Sequence, residues 1–113
     1  MPLGDNDALI AAPEHHDLVF ENEWVRVLRT RILAGETVPL HSHEWPAVST
    51  VMSWSNCVRR DETGAVTLDT EAAGFCPEPG TTMWMEPLPL HTMENVGEGE
   101  VLVISVEIKP QNG

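Results

Sequence analysis

The chain is 113 residues long and carries 18 acidic against 6 basic side chains, which gives a formal net charge of −12 at pH 7. A chain of this length folds as one domain around a single hydrophobic core. The negative charge repels phosphate backbones and anionic headgroups, so neither nucleic acid nor a membrane surface is an expected partner.

The N-terminal residues lack the features of an export signal. They contain no basic segment followed by a long apolar stretch, and no part of the chain approaches the roughly 18 consecutive apolar residues that a membrane span needs. Two cysteines, Cys57 and Cys76, are too few for a disulfide scaffold. We therefore expect a cytoplasmic protein with free thiols.

The pattern along the chain predicts an all-β protein. Residues 1–14 show no periodicity and are predicted to form an N-terminal arm ahead of a domain at residues 15–110. In that domain, short β-rich runs alternate with turn residues, which is typical of a sandwich or barrel. The predicted strands span residues 18–22, 25–33, 36–40, 48–54, 56–60, 65–69, 72–75, 81–85, 91–95 and 101–108.

Two further patterns predict how these strands are placed. In the last strand the aliphatic residues Leu102, Ile104, Val106 and Ile108 alternate with Ser105 and Glu107, so we expect the aliphatic face to be buried and the other face to be partly wet. Proline cannot donate to a ladder from a strand interior, which predicts sheet edges and corners at Pro39, Pro46, Pro77, Pro79, Pro87 and Pro89.

The histidines carry the functional signal. His41 and His43 are two residues apart in a predicted strand, so their rings point to the same face. Neutral imidazole is a good ligand for zinc, iron and nickel, and His91, which opens a later strand, is the candidate for a third donor. Three imidazoles leave coordination positions open, as catalytic metal sites do. Taken alone, the His41/His43 pair is more typical of surface or capping histidines than of a metal site.

Two stretches resemble the signature motifs of the cupin superfamily. They are GETVPLHSH at residues 35–43 and PGTTMWMEPLPLHTMEN at residues 79–95. The chain is similar, over roughly residues 16–108, to small single-domain bacterial cupins with an RmlC-like jelly roll. The resemblance implies a double-stranded β-helix barrel that binds one divalent metal ion, whether Fe, Zn, Ni or Mn, through His41, His43 and His91, with Asn95 at the second motif's asparagine.

One departure from the cupin motif changes the expected chemistry. The glutamate ligand of the family falls at about Ala47 or Val48, neither of which can coordinate a metal. The remaining three-histidine centre resembles that of cupin dioxygenases that cleave β-diketones or oxidise thiols. An alanine in this position would leave room beside the metal for substrate or water.

The phase of the strands predicts the walls of a pocket beside the metal. Ala47, Ser49 and Val51 are in phase with the first histidine pair, and Met93 is in phase with His91. Adding a neighbouring strand, the predicted lining is Ala47, Ser49, Val51, Trp84, Met85 and Met93. Each of these side chains fits a pure packing role as well, and no catalytic residue is assigned beyond the metal ligands.

Other histidines and acidic residues are predicted to lie away from the metal. His15 and His16 are at the junction of the arm and the first strand, where interface or solvent contacts are favoured over a direct role. Glu44 directly follows His43 and so points away from it in a regular strand.

The arginines give two expectations. Arg29 and Arg31 share a strand face, and one of them is a candidate for entering the barrel or a dimer contact, where it could orient a substrate carboxylate. Arg59 and Arg60 precede two acidic residues, which favours a solvated hairpin tip.

The sequence therefore favours a metal-dependent enzyme, oxygenase-like, acting on a small organic molecule. A non-catalytic module that binds a metal and a small ligand is the alternative, and a metal-assisted isomerase or lyase is another. Jelly-roll sheets expose edges, and small cupins often cover them with a second copy, so a homodimer through an N-terminal strand is expected.

Overall fold

The structure, a computed structural model, describes residues 3–111. Within this range the chain forms nine strands and two short helices. In chain order these are α1 (Ala8–Ala11), β1 (His16–Glu21), β2 (Val25–Ile32), β3 (Thr37–His43), β4 (Ala47–Ser53), β5 (Cys57–Asp61), β6 (Val66–Asp69), α2 (Thr70–Ala73), β7 (Thr82–Met85), β8 (Leu88–Asn95) and β9 (Val101–Ile108). Neither helix is long or apolar enough to cross a bilayer.

The strands form two antiparallel sheets that face each other. One sheet has five strands in the order β1-β2-β9-β4-β7, and the other has four in the order β3-β8-β5-β6. This is a jelly-roll barrel, so the prediction of an all-β double-stranded β-helix is confirmed. A buried apolar cluster joins the two sheets at one end of the barrel, and it consists of Ala12, Ile32, Val38, Cys57 and Val101.

The strand predicted at residues 72–75 is wrong. Residues 70–73 form the helix α2, because both of its ends carry capping residues. The Asp69 side chain accepts a hydrogen bond from the backbone N–H of Ala72, and Gly74 closes the helix in the left-handed conformation with a φ of 69°.

The predicted orientation of β9 is also wrong. Glu107 is only 2% exposed, whereas Ile108, on the opposite face, is 36% exposed. β9 lies in the centre of the five-stranded sheet, and its face with Ser105 and Glu107 points into the barrel. A carboxylate is tolerated there because the buried guanidinium of Arg26 lies against it.

Two of the six prolines lie inside strands. Pro39 is on β3, the edge strand of the four-stranded sheet, which agrees with the prediction, whereas Pro89 is on the inner strand β8, where the prediction is wrong. Pro39 and Pro89 fall at irregularities in the pairing of β3 with β8, where the register shifts after Val38 and again after His41. Bulges of this kind leave residues unpaired and therefore tolerate a missing N–H.

Residues of the N-terminal arm pack against β3. The backbone N–H of Ser42 donates to the carbonyl of Asn6 at 2.7 Å, and Asp7 forms a parallel bridge with Ser42. Asp7, Ala8 and Ala12 are buried. The division between arm and domain at residue 14 stays a prediction, but the arm contributes to the interior of the described chain.

Candidate metal centre

Four histidine rings meet at one end of the barrel. His41 and His43 come from β3, and the register pairs His41 directly with His91 of β8. The centroids of these two rings are 4.2 Å apart, and the centroids of His41 and His43 are 5.0 Å apart. His16 of β1 approaches from the other sheet, 5.0 Å from His41 and 5.5 Å from His43 between centroids.

Among residues 3–111, the closest group of possible metal donors includes His16, for which the sequence predicted interface or solvent contacts. One ring nitrogen from each of His16, His41 and His43 lies within 4.8 Å of the other two. His91 joins the group through its contact with His41 and is 5.7 Å from His43 between centroids. His16 is 3% exposed. The expectation of an interface or solvent role for His16 is therefore wrong, because His16 begins β1 with its side chain on the cavity wall.

All four rings have one nitrogen already engaged. The Nδ1 atoms of His41 and His91 donate to the carbonyls of Pro39 and Pro89, at 2.8 Å and 2.7 Å. Nδ1 of His16 donates to the carbonyl of Ala12 at 3.0 Å. A carbonyl can only accept, so these three rings carry their proton on Nδ1 and keep the Nε2 lone pair free. This is the tautomer that a metal ligand needs.

The same tripeptide builds two of these donors. Pro39-Leu40-His41 and Pro89-Leu90-His91 have identical sequences, and each lies on a bulged strand with its ring bonded to the carbonyl two residues earlier. The Pro-Leu-His repeat was visible in the sequence and was overlooked. It indicates that the two strands orient their histidines in the same local way.

Burial keeps the cluster neutral. Desolvation lowers the pKa of His16 and of His91 to about 4 and that of His41 to about 3, and the neighbouring imidazoles reinforce each shift. At pH 7 these rings are unprotonated, which is the form that binds metal ions.

A buried ionic network supports the fourth ring. Nδ1 of His43 lies 3.2 Å from Oε2 of Glu107, whose Oε1 accepts a hydrogen bond from Nε of Arg26 at 2.7 Å. Both Nη atoms of Arg26 donate to the Asp7 carboxylate at 2.9 Å. Burial opposes ionisation of Asp7, but the hydrogen bonds and charge of Arg26 outweigh it and lower the pKa of Asp7. The network links His43 to the arm.

A cavity of about 550 Å³ extends from the histidines between the two sheets. Five of the six predicted lining residues lie on its wall, namely Ala47, Ser49, Val51, Met85 and Met93. Trp84 does not, because β7 turns Met83 and Met85 inward and Trp84 outward. The Trp84 side chain is 55% exposed and donates its indole N–H to Glu86.

Neither Arg29 nor Arg31 enters the barrel, so this part of their prediction is wrong, whereas a role in a dimer contact stays a prediction. Both side chains lie outside the barrel, where Arg29 pairs with Asp17 and Arg31 with Glu100. The arginine of β2 that enters the interior is Arg26, one position out of phase with them.

Asn95 has a structural position. Its amide nitrogen donates to the carbonyls of Ile32 and Gly99, and its oxygen accepts from Ser55 and from the backbone N–H of Gly97. These bonds leave the side chain no capacity for a metal.

Comparison with solved structures identifies the fold. A cupin domain from Bordetella pertussis superposes with a TM-score of 0.66 at 21% sequence identity, covering 84% of this chain and 92% of that one. A double-stranded β-helix protein from Klebsiella pneumoniae gives a TM-score of 0.56 at 21% identity over 86% and 76%. An RmlC-like cupin from Methanocaldococcus jannaschii gives 0.56 at 12% identity over 82% and 77%.

No model of a protein family matches the sequence, and no curated protein matches it significantly. The structural matches nevertheless cover most of the chain, 84% and 86% for the first two. The protein is a small domain with the cupin double-stranded β-helix fold. The resemblance found in the two sequence motifs is confirmed at the level of the fold.

Proposed function

We propose that this protein binds one divalent metal ion through its histidine cluster and is a metal-dependent enzyme acting on a small organic molecule. The observation that carries the proposal is the cluster of four rings, three of them buried, each with Nδ1 engaged by an oxygen atom. Such engagement fixes the ring orientation and directs Nε2 toward a shared ligand.

The donor set fits a divalent transition metal. Neutral imidazole nitrogens suit Fe, Zn, Ni or Mn, and the cluster holds more of them than the three that the sequence predicted. His41, His43 and His91 remain the proposed core, with His16 as an added donor. Ala47 occupies the place of the family's glutamate and lines the cavity, so that side of the site stays open for a substrate.

The chemistry divides between the ion and the chain. A bound ion would supply a Lewis acid and, if it is iron, the redox capacity for an oxygenase. The histidines hold their protons on Nδ1 throughout, and Glu107 keeps the ring of His43 in place. The apolar walls of the cavity exclude water and select an organic substrate.

The test is metal analysis of protein purified without chelator, followed by oxygen uptake with Fe(II) and a panel of β-diketones and thiols. One bound ion per chain with substrate-dependent oxygen uptake supports the oxygenase. Turnover without oxygen identifies an isomerase or lyase, and metal binding without turnover identifies a binding module. Absence of any stoichiometric metal, in a protein whose His41→Ala variant behaves like wild type, contradicts the proposal.

A second copy of the chain completes the proposed assembly. On the outer face of the five-stranded sheet, one apolar row crosses all five strands through consecutive register pairs, and it consists of Phe20, Val27, Val106, Val48 and Trp84. The residues at its two ends, Phe20 and Trp84, are 53% and 55% exposed. A continuous apolar row that is exposed at both ends and partly exposed between them is typical of an interface, which supports the homodimer.

The proposed location is the cytoplasm. Both cysteines are free, and Cys76 is exposed, which fits a reducing compartment.

A further inference from the structure

One cationic side chain lacks a carboxylate partner in residues 3–111, the range that includes every Lys, Arg, Asp and Glu of the chain. The other five of the six cations form ion pairs, and they are Arg26, Arg29, Arg31, Arg60 and Lys109. The exception is Arg59, although the chain has 18 acidic residues. An excess of acids makes a solitary arginine an unusual arrangement that calls for a physical reason.

The position of Arg59 supplies that reason. Arg59 is in the middle of β5, where the register places it between Met93 of β8 and Leu68 of β6, and all three residues line the cavity. Its neighbour Arg60 points to the other face and pairs with Glu94 at 2.9 Å. Within the described chain, the Arg59 guanidinium has one hydrogen bond, from Nε to Oγ1 of Thr67 at 3.2 Å. The N–H groups of both Nη atoms are therefore available to donate to a ligand.

The charge of Arg59 lies at the wall of the cavity inside the barrel. Burial lowers the pKa of Arg59, which means that its cation is partly desolvated. Arg59 and His91 also line a smaller cavity together, so Arg59 is close to the histidine cluster. A partly desolvated cation beside an apolar cavity is stabilised by an anion that brings its own hydrogen-bond acceptors.

We propose that Arg59 binds the carboxylate of the organic ligand, and that the ligand is a small monocarboxylic acid with an apolar, aromatic-sized body. The guanidinium matches a carboxylate in geometry and charge. The body of the acid lies against Trp54, Phe75 and Met93, which form apolar parts of the wall. This inference depends on one part of the proposed function, namely that an organic ligand enters the cavity. Arg59 takes the carboxylate-binding role for which the sequence suggested Arg29 or Arg31.

A matched pair of probes tests the role of charge. Binding of 4-phenylbutanoate and 4-phenylbutanamide to the full chain, freed of metal with EDTA, is measured by calorimetry and by the fluorescence of the tryptophans. The two probes have the same shape and differ in charge. Wild type is expected to bind the acid at least about tenfold more tightly than the amide.

Two neighbouring variants make the experiment specific. Arg59→Met is expected to reduce the preference for the acid to less than twofold while amide binding persists, which also reports that the cavity is intact. Arg60→Met, which removes an adjacent outward arginine, is expected to retain the full preference. Arg59→Lys keeps the charge without the planar fork and is expected to give an intermediate preference.

The inference is overturned if wild type binds acid and amide equally, if neither probe binds, or if Arg59→Met keeps the preference. These outcomes are separate from the proposed function, because the protein is metal-free. A chain that shows the charge preference and binds no metal refutes the metal centre alone, and a chain that binds metal without the preference refutes the role of Arg59 alone.

Discussion

Glu107 and His43 are 64 residues apart in the chain, yet the Glu107 carboxylate lies 3.2 Å from Nδ1 of His43 in the interior of the barrel. The carboxylate is 2% exposed and is also bound by Arg26, so its position is fixed from two sides. Glu107 is thus a hydrogen-bond partner of a proposed ligand and is not itself proposed as a ligand. In the register of β4 with β9, Glu107 pairs with Ala47.

Replacing Glu107 should weaken metal binding without removing a donor. In Glu107→Gln the charge that holds the imidazole of His43 is lost, and affinity for Zn²⁺ or Fe²⁺ is expected to fall about 10-fold to 100-fold. Competition with a chromogenic chelator measures this change. The control is Glu100→Gln, which alters an exposed ion pair with Arg31. Equal affinities for Glu107→Gln and wild type would refute the supporting role.

Adjacent histidines provide a test of the fourth donor. His16→Ala is expected to lower metal affinity at least about tenfold, because it removes one of three nitrogens that lie within 4.8 Å of one another. His15 is bonded to the carbonyl of Arg31 and is not part of that group. His15→Ala should therefore change affinity by less than twofold. If the two variants are indistinguishable in the chelator competition, His16 is not a ligand.

Acidification should destabilise the metal-free protein well above the pH at which carboxylates titrate. In the unfolded chain histidine takes up a proton near pH 6.5, whereas in the fold the pKa is about 4 for His16 and His91 and about 3 for His41. The unfolded state therefore binds more protons as the pH falls from about 6.5 to about 4, and stability is lost across this window. Urea denaturation at pH 7 and pH 5 should differ by about 2 kcal/mol or more.

Removal of one titrating ring is the control for this pH dependence. His91→Gln should make the slope of stability against pH shallower by up to about one proton. A free energy of unfolding that stays constant between pH 7 and pH 5 in the wild type would mean that the rings are not buried in their neutral form.

The apolar row on the outer sheet predicts the oligomeric state. Wild type should elute from gel filtration with a mass near twice the 12.5 kDa of the chain. Phe20→Asp places a charge at the exposed end of the row and should give a monomer. Val66→Asp, at a similarly exposed position on the other sheet, should remain dimeric. A monomeric wild type would refute the dimer.

Asn95 should prove to be a stability residue and not a ligand. Asn95→Ala removes four hydrogen bonds to partners that are largely buried, and a loss of about 2–4 kcal/mol of unfolding free energy is expected. Metal affinity of the folded variant should stay within twofold of wild type. Asn6→Ala, at an exposed position, should change stability by less than about 0.5 kcal/mol. A loss of metal with no loss of stability would reverse this assignment.

Local patterns in the chain were sufficient to predict the positions of most strands and to name three of the four clustered histidines as candidate donors. Alternation within β3 places His41 and His43 on one face irrespective of the rest of the fold, because side chains two apart in a strand always share a face. The helix α2 was missed because its aspartate cap and glycine end lie in a short run that also reads as a weak strand. The face of β9 was misjudged because hydrophobicity alone cannot show that a carboxylate has a buried cation beside it.

The sequence by itself determined the β architecture and the placement of His41 and His43 on the same strand face, because both follow from the two-residue period of a strand. The tertiary structure alone decided that His16 lies beside them, that Glu107 contacts His43 and that Arg59 lines the cavity without a carboxylate partner among residues 3–111. These relationships join residues from different strands and different sheets. They depend on sheet order and register, which fix how distant segments meet and which no local pattern of hydrophobic and polar residues specifies.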